Sequence, residues 1–287
     1  MDYFDNYLSY LRFVKQSSEN TIESYMRDLK QAYNYFNTPL HTLSPQQLQN
    51  YIDSQKESNR SPATISRSIM ALKSFYSWLL ANNIIGINPA ESLMNEKPKP
   101  KAPEVLSEAE VELLLAQPNR IDLKGYRDKA MLEILYSSGL RVSELIDLRI
   151  GDIDVGNSQI VLVRKENNRQ IPLPYTTVKA LNEYICFIRK QIARDALEDH
   201  LFLNLNGSPL TRQGFWKILK EYQKKAGIEK NITPHSLRHT FATFIVNSNK
   251  YSLLTIAKIL GHNDANMLQN IYYHLDDDEL NDVNFKL

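Results

Sequence analysis

Between Asn95 and Pro103 the chain reads Asn-Glu-Lys-Pro-Lys-Pro-Lys-Ala-Pro, three prolines and three lysines in nine residues. Proline lacks a backbone donor and clashes with the preceding turn, so no helix runs through this stretch, which stays extended and solvated. The apolar surface must therefore be buried in two bodies, 1–94 and 104–287, joined by a linker at 95–103. At 287 residues the chain is long enough for two such cores. Nine glycines and twelve prolines fall well below the ordinary ~12% share, which argues against collagen-like, linker-like and turn-dense all-β chains and for helices. The single cysteine, Cys186, excludes an intramolecular disulfide and most thiolate metal sites. It is expected as a small core residue in a reducing, intracellular compartment. No apolar run approaches the ~18–20 residues of a membrane span, and Asp2 and Asp5 precede any basic residue, so a cytoplasmic chain without membrane contact is expected.

Upstream of the linker, apolar residues recur at helical spacing in Phe4, Leu8, Leu11 and Val14, in Tyr25, Leu29, Ala32 and Phe36, and in Ile65, Ile69, Leu72, Phe75, Tyr76 and Leu79. Ser18, Ser44-Pro45 and Ser61-Pro62 stand where helices should start. The reading is a bundle of about four helices. Its outer faces carry Arg12, Lys15, Arg27, Arg60, Ser61, Thr64, Arg67 and Lys73, each suited to a phosphate backbone or simply to water.

Downstream, Ser107-Glu-Ala-Glu110 has the form of a capping box, and Arg127–Ser138 reads as a helix halted by Gly139. Alternation in 159–163 and 170–174 around polar Glu166-Asn-Asn168 predicts a β-hairpin. Helical patterns follow at 177–193, 211–226, 236–247 and 253–260. The expected fold is mainly α, with a small antiparallel β-sheet confined to an α+β second domain. Net charge is only +1, but Asp276, Asp277, Asp278, Glu279 and Asp282 make the tail acidic behind a mildly basic body. Such a tail does not itself lie on phosphates.

Four pieces of the second body carry chemistry: Gly139-Leu-Arg-Val-Ser-Glu-Leu145, the hairpin with its lysine, Pro234-His-Ser-Leu-Arg-His-Thr-Phe-Ala242, and Leu260-Gly-His262 followed ten residues later by Tyr272. Singly each has a plain explanation: Arg141 as a helix-terminal arginine paired with Glu144, His235 beside Pro234 as a cap, Tyr272 as a core aromatic. Together they supply arginines, histidines, a lysine and a tyrosine, without a carboxylate pair or cysteine cluster to hold a metal. A phosphodiester under attack gains charge on its non-bridging oxygens, which fixed donors must meet. Arginine's planar fork suits that task. Histidine moves protons near neutral pH, and a phenol oxygen can hold phosphorus covalently.

On these residues, and on Ser18-Glu-Asn-Thr-Ile-Glu-Ser-Tyr25 with Asp28-Leu29, Asn88-Pro89, Leu210-Thr-Arg-Gln-Gly214 and Ile271-Tyr272, the chain resembles the tyrosine recombinase/phage integrase family. The likeness covers nearly the whole length and is strongest to short two-domain members, Xer-type or transposon- and phage-borne. The resemblance implies an N-terminal core-DNA-binding domain and a C-terminal catalytic domain that clamp duplex DNA, with the linker crossing it. It implies Arg141 and Arg238 as phosphate-clamping arginines, His235 in proton transfer, His262 as a donor to the phosphate and Tyr272 as nucleophile, giving a 3′-phosphotyrosine and a free 5′-hydroxyl. Adjacent Tyr273 is the rival nucleophile, although Ile271-Tyr272-Tyr273-His274 matches the family's form with Tyr272. The ten-residue interval fits phage and transposon members, where Xer-type proteins usually have nine.

The hairpin departs from the family, whose tip is commonly Gly-Lys-Gly; here it is Val163-Arg-Lys-Glu-Asn-Asn-Arg169. Either Arg164 or Lys165 takes the catalytic lysine's place, and Lys165 is preferred because it can surrender a proton to the leaving oxygen. The resemblance further implies paired inverted-repeat core sites, exchange through a Holliday junction, no cofactor, and a homo-tetramer, or a hetero-tetramer with a sister recombinase. The tail at 276–287, with Leu280, Val283, Phe285 and Leu287, would dock on a neighbouring protomer. An accessory DNA-bending factor, and a place at the nucleoid in resolution, integration or excision, fit the same picture. Two other readings stand beside it: relaxation of supercoiled DNA by type IB topoisomerase-like chemistry, and a DNA-binding regulator that has lost catalysis.

Overall fold

The computed structural model describes residues 3–94, 104–164, 168–248 and 250–261. It is mostly helical with one small three-stranded antiparallel sheet, as the sequence leads one to expect, and the chain divides into two compact units between Lys101 and Ala102.

In the first unit a short helix α1 (Phe4–Ser9) widens into a π turn over Tyr10–Val14, and α2 (Glu19–Phe36), α3 (Pro45–Glu57) and α4 (Pro62–Ala81) follow. Ser18, Ser44 and Ser61 each accept a hydrogen bond from the amide three residues on, and Pro45 and Pro62 open their helices, where a missing N–H costs nothing. α2 and α3 both pack on α4, burying Ile22, Leu29, Leu48, Ile69, Phe75 and Tyr76. Val14, expected on the apolar face with Leu11, is instead exposed. The Lys15 amide reaches back five residues to the Tyr10 carbonyl, and the extra residue in that turn rotates Val14 outward. Two of the outer basic residues pair with carboxylates inside the unit. Arg67 forks onto the buried carboxylate of Asp28 at 2.8 and 2.9 Å, and Arg12 onto Glu19 at 3.2 and 3.1 Å.

The second unit begins with α5 (Glu108–Ala116), whose Ser107–Glu110 capping box forms as expected. α6 (Leu123–Ser138) starts one turn earlier than its apolar pattern suggested, because Asp122 accepts the Gly125 amide at 2.6 Å. Then come α7 (Val142–Ile146), β1 (Ile153–Asp154), β2 (Gln159–Leu162) and β3 (Arg169–Pro172). α8 (Tyr175–Glu183) loosens into a π segment at Tyr184–Arg189 and closes with α9 (Lys190–Ile192); α10 (Arg212–Lys225), α11 (Pro234–Asn247) and α12 (Leu253–Leu260) complete the order. α6 is the hub. It packs against α5, α7, α8 and α11, and Ala130, Met131, Leu132, Ile134 and Leu135 are fully buried.

β2 and β3 form the expected hairpin, with Ile160 opposite Ile171 and Leu162 opposite Arg169. β1 adds a two-residue third strand, too short to show an alternation in sequence. Cys186 is exposed, not a core residue. The π segment turns Tyr184, Ile188 and Arg189 inward and leaves Cys186 outside, where its thiol meets the Asn182 amide oxygen at 3.2 Å.

Gly139 ends α6 in the left-handed region at φ +60°, and a Cβ there would stand 2.5 Å from the Phe241 ring and 2.9 Å from Leu260. Gly139→Ala is expected to lower stability by about 2–4 kcal/mol, about half from the left-handed backbone and half from overpacking. A urea titration of the full chain measures the loss; a variant as stable as the wild type overturns the packing argument.

Candidate active site

Two residues beyond Gly139, Arg141 occupies the N-cap position of α7 in extended backbone, φ −67° and ψ 149°. Glu144, in the first turn of α7, reaches back: its carboxylate accepts the Arg141 amide at 2.8 Å and approaches the Arg141 guanidinium at 3.5 Å. The helix-end pairing expected of Arg141 is therefore real, and it leaves the side chain about one-third exposed, at 35%.

α11 starts under a reciprocal cap. Thr233 accepts the Ser236 amide at 3.0 Å and Ser236 accepts the Thr233 amide at 3.2 Å, with Pro234 at the first helical position. This places His235 in the first turn and Arg238 one turn further, 2% exposed. Arg238 donates to the carbonyl of Gly139 at the end of α6, and to that of Leu260 at the end of α12 at 2.6 Å. The second acceptor lies where a helix dipole favours a cation. Arg238 also stands 3.9 Å from Glu144, so one carboxylate faces both arginines.

A third arginine completes the group. Arg169, the first residue of β3, places both terminal nitrogens on the two oxygens of Glu144, each at 2.9 Å, with its side chain only 4% exposed. Sequence reading overlooked it, although the signal was there. In Arg169-Gln-Ile-Pro-Leu173 the inward positions are Arg169, Ile171 and Leu173, and a charge on the inward face of a strand needs a buried partner.

Burial raises the proton affinity of Glu144, but the Arg169 hydrogen bonds, the Arg141 amide and the charges of both arginines outweigh it, and its pKa lies below the usual carboxylate value. Burial, and then the charge of Arg141, push Arg238 down from arginine's usual range while Glu144 pulls the other way. An arginine has so far to fall that it stays charged at neutral pH. His235 is held below the usual imidazole value, first by burial and then by Arg238 and Arg141, and is neutral at pH 7. Arg141, His235 and Arg238 are thus brought together from two stretches of chain almost a hundred residues apart.

Lys165, His262 and Tyr272, with the rival Tyr273 and the tail, lie outside the described residues. Arg164 is described, and its guanidinium pairs with Asp152 at 2.8 Å and with the Asp147 carbonyl at 3.4 Å. Other buried arginines hold the frame: Arg189 donates to the carbonyls of Glu198, His200 and Leu201, and Arg127 pairs with Asp128. Among the described residues, Glu198, Asp199 and His200 bring metal-type donor atoms within 4.8 Å of one another. Asp199 is paired with Arg149, and Glu198 is hydrogen-bonded to His200 at 2.6 Å, so these donors already have protein partners. No helix among the described residues is long and apolar enough to cross a membrane.

Residues 104–279 match the model of the phage integrase family, and residues 4–83 that of the phage integrase N-terminal SAM-like domain. The chain belongs to the phage integrase family, the tyrosine recombinases. It is 36% identical over 276 residues to tyrosine recombinase XerD of Staphylococcus haemolyticus, covering 94% of this chain and 93% of that one. It is 39% identical over 280 residues to tyrosine recombinase XerC of Herpetosiphon aurantiacus, covering 96% and 90%. In fold it resembles the Tn1549 transposon integrase, solved with circular intermediate DNA, at a TM-score of 0.75, 24% identity and 98% coverage of both chains. This tyrosine recombinase is accordingly a site-specific DNA recombinase, an enzyme that breaks and rejoins DNA.

In the free recombinase the His235 imidazole is expected to titrate below the ordinary ~6.5, as read by NMR, and to move upward in Arg141→Ala, which removes a repelling charge. Because the folded pKa lies below the unfolded one, the unfolded chain holds more protons between them. Stability from this group is therefore lost as pH falls below ~6.5, and less of it is lost in the variant. An unchanged His235 midpoint in Arg141→Ala refutes the assigned cause.

Proposed function

We propose that the recombinase seats a scissile DNA phosphate between Arg141 and Arg238 and cleaves it with Tyr272. The phenol oxygen bonds to phosphorus as the bond to the 5′ oxygen breaks, giving a 3′-phosphotyrosine and a 5′-hydroxyl. His235, neutral at pH 7, assists removal of the phenolic proton, His262 donates to a non-bridging oxygen, and Lys165 gives a proton to the departing 5′ oxygen. The observation that carries the reading is the shared carboxylate of Glu144, which stands 3.5 Å from one clamp arginine and 3.9 Å from the other beside a neutral histidine. The engagement of Arg164 by Asp152 supports Lys165 as the hairpin acid. The covalent bond conserves free energy, so rejoining needs no nucleotide, and exchange of ends on paired inverted-repeat sites passes through a Holliday junction. On this reading domain 1–94, linker 95–103 and domain 104–287 wrap the duplex at the nucleoid. Tails 276–287 link four protomers, alike or with a sister recombinase, alongside any DNA-bending factor.

The test is incubation with EDTA and a library of nicked duplexes with randomised cores, followed by capture of protein–DNA adducts that protease removes. Wild type and Tyr273→Phe are expected to form adducts and Tyr272→Phe none; adducts from Tyr272→Phe sink the assignment. Arg141→Ala and Arg238→Ala should lose cleavage at least about a hundredfold yet keep most DNA binding, since many other contacts position a duplex.

A further inference from the structure

Glu144 poses a problem for a phosphate clamp. A carboxylate beside Arg141 and Arg238 offers those guanidiniums the same two-oxygen acceptor that a phosphate offers, and it is always present. An unoccupied Glu144 would swing onto the clamp and compete with the incoming phosphodiester. The geometry shows what prevents this. Both oxygens of Glu144 are taken by the terminal nitrogens of Arg169 at 2.9 Å, while Arg141 makes only a longer contact at 3.5 Å and Arg238 stands at 3.9 Å. The fork is nearly fully buried, and Leu162 opposite Arg169 holds that end of β3 in register. Asn168, the residue before Arg169, accepts the Arg164 amide at 2.8 Å through its side chain and so closes the base of the hairpin.

We propose that Arg169 is a positioning residue of the active site: it keeps Glu144 from closing fully onto the clamp arginines and ties the β2–β3 hairpin to them. The inference rests on the recombinase reading of Arg141 and Arg238. It requires a fork and not merely a charge, because one ammonium cannot hold both carboxylate oxygens in that plane. It also requires Glu144 to be harmful when Arg169 is absent, which a role in stability alone does not.

The test uses a nicked duplex recovered from the randomised library by adduct capture with the wild-type full chain. Arg169→Leu is expected to slow single-turnover cleavage at saturating duplex by about a hundredfold, with duplex affinity within about threefold of wild type. Arg169→Lys should fall between the two. The deciding variant is Arg169→Leu with Glu144→Gln, in which the competing charge is gone while glutamine still caps the Arg141 amide. Its cleavage should recover at least about tenfold over Arg169→Leu alone, without a matching rise in melting temperature. Cleavage by Arg169→Leu at the wild-type rate, or a double variant no faster than the single one, overturns the proposal while leaving the recombinase reading intact. Absence of any adduct from the wild-type protein refutes the recombinase reading, and this one with it.

Discussion

The second unit depends on one carboxylate shared among three arginines. Guanidiniums at ordinary contact distances repel by about 4 kcal/mol per pair at an effective dielectric of ~20, so Arg141, Arg169 and Arg238 could not be gathered by packing alone. Glu144 makes the gathering tolerable, and its depressed pKa shows that it remains ionised to do so. It also fixes geometry. One oxygen caps α7 at the Arg141 amide while both oxygens receive the Arg169 fork, so the start of α7 and the start of β3 are bound to the same group. Removing either partner would leave a buried charge uncompensated, which is why such clusters are sensitive to single changes.

Arg238 does the complementary work on the backbone. Its two carbonyl acceptors close α6 and α12, so three separate elements meet at one side chain. Gly139 is what allows it: only a residue at φ +60° with no Cβ can stop α6 against Phe241 and Leu260 while presenting a carbonyl to Arg238. The arginine is thus held in place by the fold itself, and a phosphate bound there as proposed would leave it little to reorganise. The same bond also fixes the end of α12, two positions before His262 in the sequence.

Much of this was legible because it is local. Helix starts announce themselves through a hydroxyl followed by an acceptor or proline, and Ser18, Ser44, Ser61 and Ser107 all do what their spacing predicts. The candidate site was legible for the opposite reason: Arg141, His235 and Arg238 sit in motifs whose residue types make little sense as packing. Features that stayed hidden depend on a change of period or on distant partners. Two π segments displaced Val14 and Cys186 to the surface by adding a residue to a turn, which no apolar pattern encodes. By sequence Arg67 was open to phosphate or to water, until Asp28, 39 residues away, claimed it. Arg169 was missed because its partner lies 25 residues upstream across a strand.

The clamp and the histidine are coupled through charge, and the coupling has a direction. The arginines that would receive a phosphate are the ones that, after burial, hold the proton affinity of His235 down. His235 is therefore a neutral imidazole at pH 7, able to take a proton rather than to give one. A phosphodiester seated against Arg141 and Arg238, as proposed, would offset their charges, and the imidazole's affinity for a proton would rise with it. On the proposed reading the group would be a better base with substrate present, and the imidazolium it forms would face a clamp whose charge the phosphate offsets. On the same reading rejoining would run the sequence backwards: a phosphotyrosine in the clamp would keep the proton available until the phenolate leaves.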